Sequence, residues 1–182
     1  MFTFLQDAMG QQQQQKRLVA KKKSKKAIQK MISNMKESVR CEIRPSNVHG
    51  WGVSATKHVK KGVKMCVYGG KRVGKDVTND EKYDSEYTIS ATGMDYSIDG
   101  DRNPKDAIHI GQFINDAVKP DVHDDPTVLE MAQYTAESTI DSNVYPEKVG
   151  NKLFIVSKRD IQQDEELFLH YGFFYWYKTL QL

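Results

Sequence analysis

Three separated stretches carry most of the chain's chemical potential: HGWGV at 49–53, GQFINDAVKP at 111–120 and RDIQQDEELFLHYGFFYW at 159–176. Taken singly, each has an ordinary structural use. Gly50–Trp51–Gly52 is a tight turn, because glycine adopts backbone conformations closed to other residues. Asn115 in FIND serves as a cap, and Phe173, Phe174, Tyr175, Trp176 and Tyr177 form a core or interface cluster. There is no glycine-rich phosphate loop. Cys41 and Cys66 are the sole cysteines, too few for a disulfide framework or a zinc cluster built on cysteine alone. Both are expected to be buried, reduced thiols, and no metal site is expected.

In this order and at these separations the stretches resemble the SET-domain protein lysine methyltransferases, and the match spans most of the chain. HGWGVSATKHVKKG matches the family's opening strand, GxG turn and following glycine turn, and MCVYGG its strand ending in tyrosine and glycine. FINDAVKPD matches the asparagine motif, usually F-I-N-H-S-C-x-P-N, and RDIQQDEELFLHYG the closing strand and Y-G. The resemblance implies a mainly β fold of small curved sheets, a β-clip, whose C-terminal segment threads under the asparagine loop as a pseudoknot. That threading would bring Asn115 and Tyr171 to one site. It also implies methyl transfer from S-adenosyl-L-methionine to a lysine side chain, with a histone tail as the expected substrate and a non-histone lysine as the other candidate.

Residue roles carry over by motif position. Tyr171 in HYG matches the catalytic tyrosine, while Tyr68 in VYGG and Tyr87 in EYTIS fall where the family places tyrosines around the lysine channel. As a lone strand residue, each would otherwise be half-buried packing. Gly50, Trp51 and Gly52 would let backbone approach the methionine end of the cofactor, since glycine has no Cβ to obstruct it. Asn115 would bind the cofactor's amino group or fix the pseudoknot loop. Asp116, Tyr171, Phe174 and Trp176 complete the expected cofactor contacts, and the aromatic tail closes the channel. The chemistry needs a neutral amine: a free lysine at pH 7 gives up its proton at a cost of roughly 5 kcal/mol. A narrow aromatic channel and a nearby sulfonium lower that cost by desolvation and like-charge repulsion, so no strong base is required.

The chain departs from the family pattern in four respects. Asp116 stands where histidine is usual and Val118 where cysteine is usual. A stretch at about 122–141 separates the asparagine motif from SNVYPEKVGNKLFIV, and the cysteine-rich zinc flanks of larger relatives are absent. The chain thus resembles the minimal SET proteins of large DNA viruses and microbes. Tyr145 is a further candidate for the channel. Two other readings stand beside the enzyme. One is a catalytically silent SET-like module binding chromatin, peptide or nucleic acid, which Asp116 favours; the other is a curved β-fold used purely for assembly.

These residues need elements to position them. The 182 residues suit one domain, divided as a basic N-terminal extension at 1–38, the catalytic domain at 39–177 and a tail at 178–182. Strand-like pieces at Val39–Ile43, Trp51–Ala55, Val63–Tyr68, Tyr87–Ser90, Tyr96–Ile98 and Leu153–Ser157 are punctuated by turn signals. They do not alternate with long helices, which excludes a doubly wound nucleotide fold. Residues 122–141 show no convincing helical stripe and read as a surface insertion that carries a short helix around Thr127–Tyr134. From Ala27, Ile28, Met31, Ile32, Met35 and Val39 recur at helical spacing. Between Lys16 and Arg40 there are ten basic residues and one acid. Lys21, Lys22, Lys23, Lys25 and Lys26 sit at the start of that helix, where cations oppose its dipole, and are either a solvated run or an electrostatic footprint for nucleic acid, a nucleosome surface or nuclear import. Without an apolar run long enough to span a bilayer, the expectation is a soluble, intracellular protein, nuclear or chromatin-associated, monomeric or homodimeric, with no membrane partner.

Overall fold

The computed structural model describes residues 2–78, 83, 85, 87–91, 93–118, 127–172 and 175–176, leaving aside the side chains of residues 2–16, 19, 20 and 23. Helix α1 (Phe2–Glu37) is longer than the apolar stripe alone indicated, because the lysines, glutamines and alanines ahead of Ala27 are good helix formers with no proline among them. Its stripe packs on the chain's own body. Ile28, Ile32 and Met35 are buried against Val67, Ile108, Phe154 and Val156, with Met31 and Val39 partly buried beside them. Full burial of such a side chain contributes about 1.5–3 kcal/mol. Gly150, at φ +59, lets the helix approach: a Cβ there would lie 2.4 Å from Cδ1 of Ile28. Lys36 Nζ adds an ion pair with Asp106 at 2.6 Å.

The body is built from short strands. β1 (Cys41–Pro45) and β2 (Trp51–Ala55) form a hairpin, and β3 (Lys64–Val67) leads to β4 (Gly70–Gly74), the short helix α2 (Lys75–Thr78), β5 (Thr88–Ile89) and β6 (Tyr96–Gly100). A 3-10 turn at Gly111–Phe113 precedes β7 (Asn115–Asp116); then come α3 (Val128–Asp141), β8 (Val144–Val149), β9 (Lys152–Ser157) and β10 (Phe168–Leu169). Among the described residues the sheets are β1-β2, β3-β9-β8, β4-β6-β5 and β7-β10. This is the mainly β architecture expected, preceded by the basic helix. Val53, Ala55, Cys66, Ile155, Ile161 and Leu167 form the driest part of the core, at 0% exposure. Cys41 and Cys66 are both free and buried, and burial pushes the Cys66 thiol up, so it is unreactive.

The closing segment is sewn to the opening one. Leu167 N–H donates to Val53 O at 2.7 Å and Ala55 N–H to Glu165 O at 2.9 Å. β10 then pairs in parallel with β7, Phe168 opposite Asn115 and Leu169 opposite Asp116, which is the contact a C-terminal pseudoknot requires. Asn143 secures it, its Nδ2 donating to Glu166 O at 2.7 Å and its Oδ1 accepting from Phe168 N–H at 2.8 Å.

The 122–141 stretch differs from expectation. Its described part is a helix of 14 residues, opened by a capping box in which Thr127 Oγ1 accepts from Glu130 N–H while Glu130 accepts from Thr127 N–H. Tyr134 and Ser138 are buried at 4% and 0%, so α3 packs into the body, while Val128, Leu129 and Ile140 stay exposed. No described helix is long and apolar enough to cross a membrane.

Candidate active site

The GxG turn is fixed from below. Ser46 Oγ accepts from Val48 and His49 N–H, and Ser46 N–H donates to Gly50 O at 2.9 Å. The two glycines are required for different reasons. Gly50 sits at φ +51 with open space where a side chain would project, so its need is conformational. Gly52 has an ordinary backbone, but a Cβ there would come within 2.1 Å of Glu166 Oε1. Glu166 occupies that space to accept from Asn115 Nδ2 at 3.3 Å, and the same amide donates to His49 O at 3.1 Å and Trp51 O at 3.2 Å. The Asn115 amide nitrogen is thus engaged by the GxG turn and by Glu166.

Three tyrosines from separate elements converge beside this loop. Tyr68, just after β3, is 7% exposed, and its hydroxyl donates to Tyr87 O at 2.8 Å. Tyr171, just after β10, donates its hydroxyl to Ile114 O at 2.6 Å. Tyr87 packs edge-on against Phe113 with centroids 6.1 Å apart. The tail completes the wall: Trp176 stacks on Tyr171 at 6.1 Å and Tyr175 meets Tyr171 edge-on at 4.6 Å. Burial first, then the neighbouring phenols, pushes Tyr171 well up, and burial does the same to Tyr68. Both therefore keep their protons at neutral pH, and each proton is committed to a backbone carbonyl.

Asp116 is the hub behind the wall. It is 4% exposed. Its Oδ2 accepts from Tyr134 Oη at 2.5 Å, Trp176 Nε1 at 3.0 Å and Tyr171 N–H at 3.1 Å; its Oδ1 accepts from Ser138 Oγ at 2.6 Å and Val118 N–H at 3.3 Å. Ser138 spends its one proton on Asp116, so the 2.9 Å contact with His170 Nδ1 has the imidazole as donor. A single carboxylate thus joins the asparagine motif, α3 and the C-terminal segment. It lies in a buried environment where only charge-assisted hydrogen bonds make its presence tolerable.

Together these elements enclose a cavity of about 520 Å³, lined by the GxG turn, Asn115, Asp116, the three tyrosines and Trp176. That volume lies within the range of small-molecule and cofactor sites. The structure therefore gathers Gly50, Trp51, Tyr68, Tyr87, Asn115, Asp116, Tyr171 and Trp176 at one place, with Gly52 against the carboxylate that anchors Asn115. Phe174 lies outside the described residues, as does Phe173. Tyr145, considered for the channel, is 41% exposed on β8 and is not among the lining residues, whereas its neighbour Pro146 is. Sequence reasoning missed Tyr134, Ser138, His170 and Glu166 as supports and Tyr175 as a wall residue. The capping box Thr127-x-x-Glu130 was the available signal for α3. No cluster of three or more His, Cys, Asp or Glu suited to a metal ion occurs among the described residues.

A family model of the SET domain matches residues 50–172, from the GxG turn through Tyr171 and Gly172. The chain belongs to the SET-domain family. SET domains are generally lysine methyltransferase domains, and the matched range contains the GxG turn, Asn115 and the three tyrosines. Among solved structures, CpSET8 from Cryptosporidium is similar at 23% identity and a TM-score of 0.47. The likeness covers 71% of this chain and 56% of that one, so this chain spans little more than half of CpSET8. No curated protein matches the sequence.

Proposed function

We propose that this SET-domain protein transfers a methyl group from S-adenosyl-L-methionine to the side-chain amine of a protein lysine, with a histone tail as substrate. The carrying observation is the single cavity that joins the GxG turn and asparagine motif to Tyr68, Tyr87 and Tyr171. Its residues suit the cofactor: open space beside Gly50 admits a ligand against backbone, and aromatic faces attract a cationic centre. Gly50, Trp51 and Asp116 would hold the cofactor with Trp176, and Asn115 would keep the loop in place. When bound, S-adenosyl-L-methionine supplies a methyl group activated on a sulfonium.

The chain's own residues supply position and desolvation. Because Tyr68 and Tyr171 donate to backbone carbonyls, their oxygens turn only lone pairs towards an entering amine. They accept the amine's N–H bonds and so aim its remaining lone pair. Tyr171 is the proposed catalytic residue. Tyr68 and Tyr87 line the lysine channel, whose dry aromatic wall disfavours the ammonium and lowers the cost of the neutral form. Neither phenol acts as the base, since burial keeps both protonated. A nuclear, chromatin-associated location follows from the proposed histone substrate. The reading is tested by mass spectrometry of core histones and nucleosomes incubated with the protein and cofactor. A methyl increment on a mapped lysine supports it, and unmodified substrate at saturating cofactor counts against it.

Asp116 in place of the usual histidine favours a second reading, a SET-like module that binds chromatin or peptide without turnover. That reading expects association with chromatin to persist in Tyr171→Phe and no methyl transfer by either protein.

A further inference from the structure

We propose that the basic part of α1 is a DNA-binding arm that lies in the major groove of duplex DNA. The first observation is where the helix stops touching its own domain. At 3.6 residues per turn, Arg17 and Lys21 fall within about 20° of the direction of Ile28, on the face that Ile28, Ile32 and Met35 bury. Yet Arg17 and Lys21 are exposed, as are Lys22, Lys25, Lys26 and Lys30. Among the described side chains the packed face of the helix therefore ends near Ile28, and from Arg17 to Ala27 those described are exposed.

The second observation is charge without compensation. No acid occurs between Asp7 and Glu37, and among the described residues none of these six cations makes an ion pair. Elsewhere acids stand among the cations and pair with some of them: Asp106 with Lys36 at the far end of the same helix, Asp160 with Lys60 and Glu165 with Arg159. Six like charges held together and left unpaired make a strong positive potential that attracts an external polyanion.

The third observation selects the anion. The six residues are spread around more than half of the helix circumference, and Leu18 is exposed among them with no apolar face to join among the described residues. A membrane-surface helix requires such a face, and none is formed by the described residues of the arm. Phosphates on both walls of a groove match charge on several sides of a rod. A helix of about 10–12 Å diameter fits the major groove of B-DNA, roughly 12 Å wide. The deep, narrow major groove of duplex RNA excludes it. The stretch from Lys16 to Lys30 rises about 21 Å and so follows about six base pairs.

The test titrates the full chain and a Lys21→Gln/Lys22→Gln/Lys25→Gln/Lys26→Gln variant onto a labelled DNA duplex across a salt series. The same-sequence RNA duplex and phosphatidylserine vesicles serve as alternative ligands. Each phosphate contact contributes about 0.9 to the slope of log K against log salt, so the variant's slope should be shallower by about 3 to 4. An unchanged slope overturns the proposal, as does binding of RNA or vesicles as tight as that of DNA. Matching circular dichroism and melting of the two proteins show that the substituted arm leaves the fold intact. DNA binding is read without cofactor and the four lysines lie outside the cavity, so its failure leaves the methyltransferase reading standing, and the reverse also holds.

Discussion

Replacing Asp116 with histidine, the residue usual in the family, is expected to damage this protein. The two oxygens of Asp116 accept hydrogen bonds from Tyr134, Trp176, the Tyr171 amide, Ser138 and the Val118 amide. A neutral imidazole offers one acceptor nitrogen and points an N–H donor where the other oxygen was. At least two of the three side-chain donors, Tyr134, Ser138 and Trp176, then lose their acceptor. Each buried donor left unpaired costs about 1–3 kcal/mol, which puts the substitution near 4 kcal/mol. For a chain of this size that lowers Tm by roughly 8–16 °C. Differential scanning calorimetry on Asp116→His in the native background and in Tyr134→Phe/Ser138→Ala should show strong coupling. With the two hydroxyls already gone, the histidine should cost at least about 1 kcal/mol less. A fall in Tm below about 2 °C, or additive effects across the cycle, would refute the hub.

Gly52→Ala should push Glu166 off its seat and release Asn115, costing about 1–3 kcal/mol and weakening cofactor binding. Calorimetric titration with S-adenosylhomocysteine reads the second effect, and unaltered affinity would contradict it. Ile32→Ala should cost about 2–5 kcal/mol in a denaturant melt because α1 packs on its own domain; a negligible cost would mean that the stripe is not buried in solution. Burial opposes ionisation of Asp106, but hydrogen bonds from Lys36 and His109 and the Ile108 amide hold it below the usual carboxylate range. Glu165 is likewise lowered: burial works against it, and the bonds from Arg159, Gln162 N–H and Asn143 outweigh burial. Groups whose folded pKa is depressed stabilise fully above their unfolded values near about 4, and lose that contribution as pH falls through the folded value. Tm should therefore be level down to about pH 5 and drop on further acidification, less steeply in Asp106→Asn/Glu165→Gln. Parallel curves for the two proteins would exclude these pairs as the cause.

The parts of the fold that sequence made legible carry their signal locally. Trp51–Ala55 appeared as a strand with the bounds observed, and the stripe of Ile28, Ile32 and Met35 marked the face of α1 that packs. β7 and β10 are two residues each, too short to show any period, and their parallel pairing joins positions that only the motif resemblance placed together. α3 was illegible for a different reason. Its buried residues, Tyr134 and Ser138, are polar and serve Asp116, while Val128, Leu129 and Ile140 stay in solvent, so the hydrophobic pattern misreports which face is inside. The departure at Asp116 was visible as a single odd residue. Its compensation was not, because the donors come from 18, 22, 55 and 60 residues away.

The most direct test of the central claim is methyl transfer from labelled S-adenosyl-L-methionine to core histones and nucleosomes, comparing the intact chain with Tyr171→Phe. The substitution keeps the ring that stacks on Trp176 and removes only the hydroxyl held by Ile114 O. Transfer by the intact chain, reduced at least about 100-fold in the variant while S-adenosylhomocysteine still binds, is the predicted result. Cofactor binding by both proteins with no transfer from either, on these or other lysine-bearing substrates, would contradict the enzyme and leave the silent binding module.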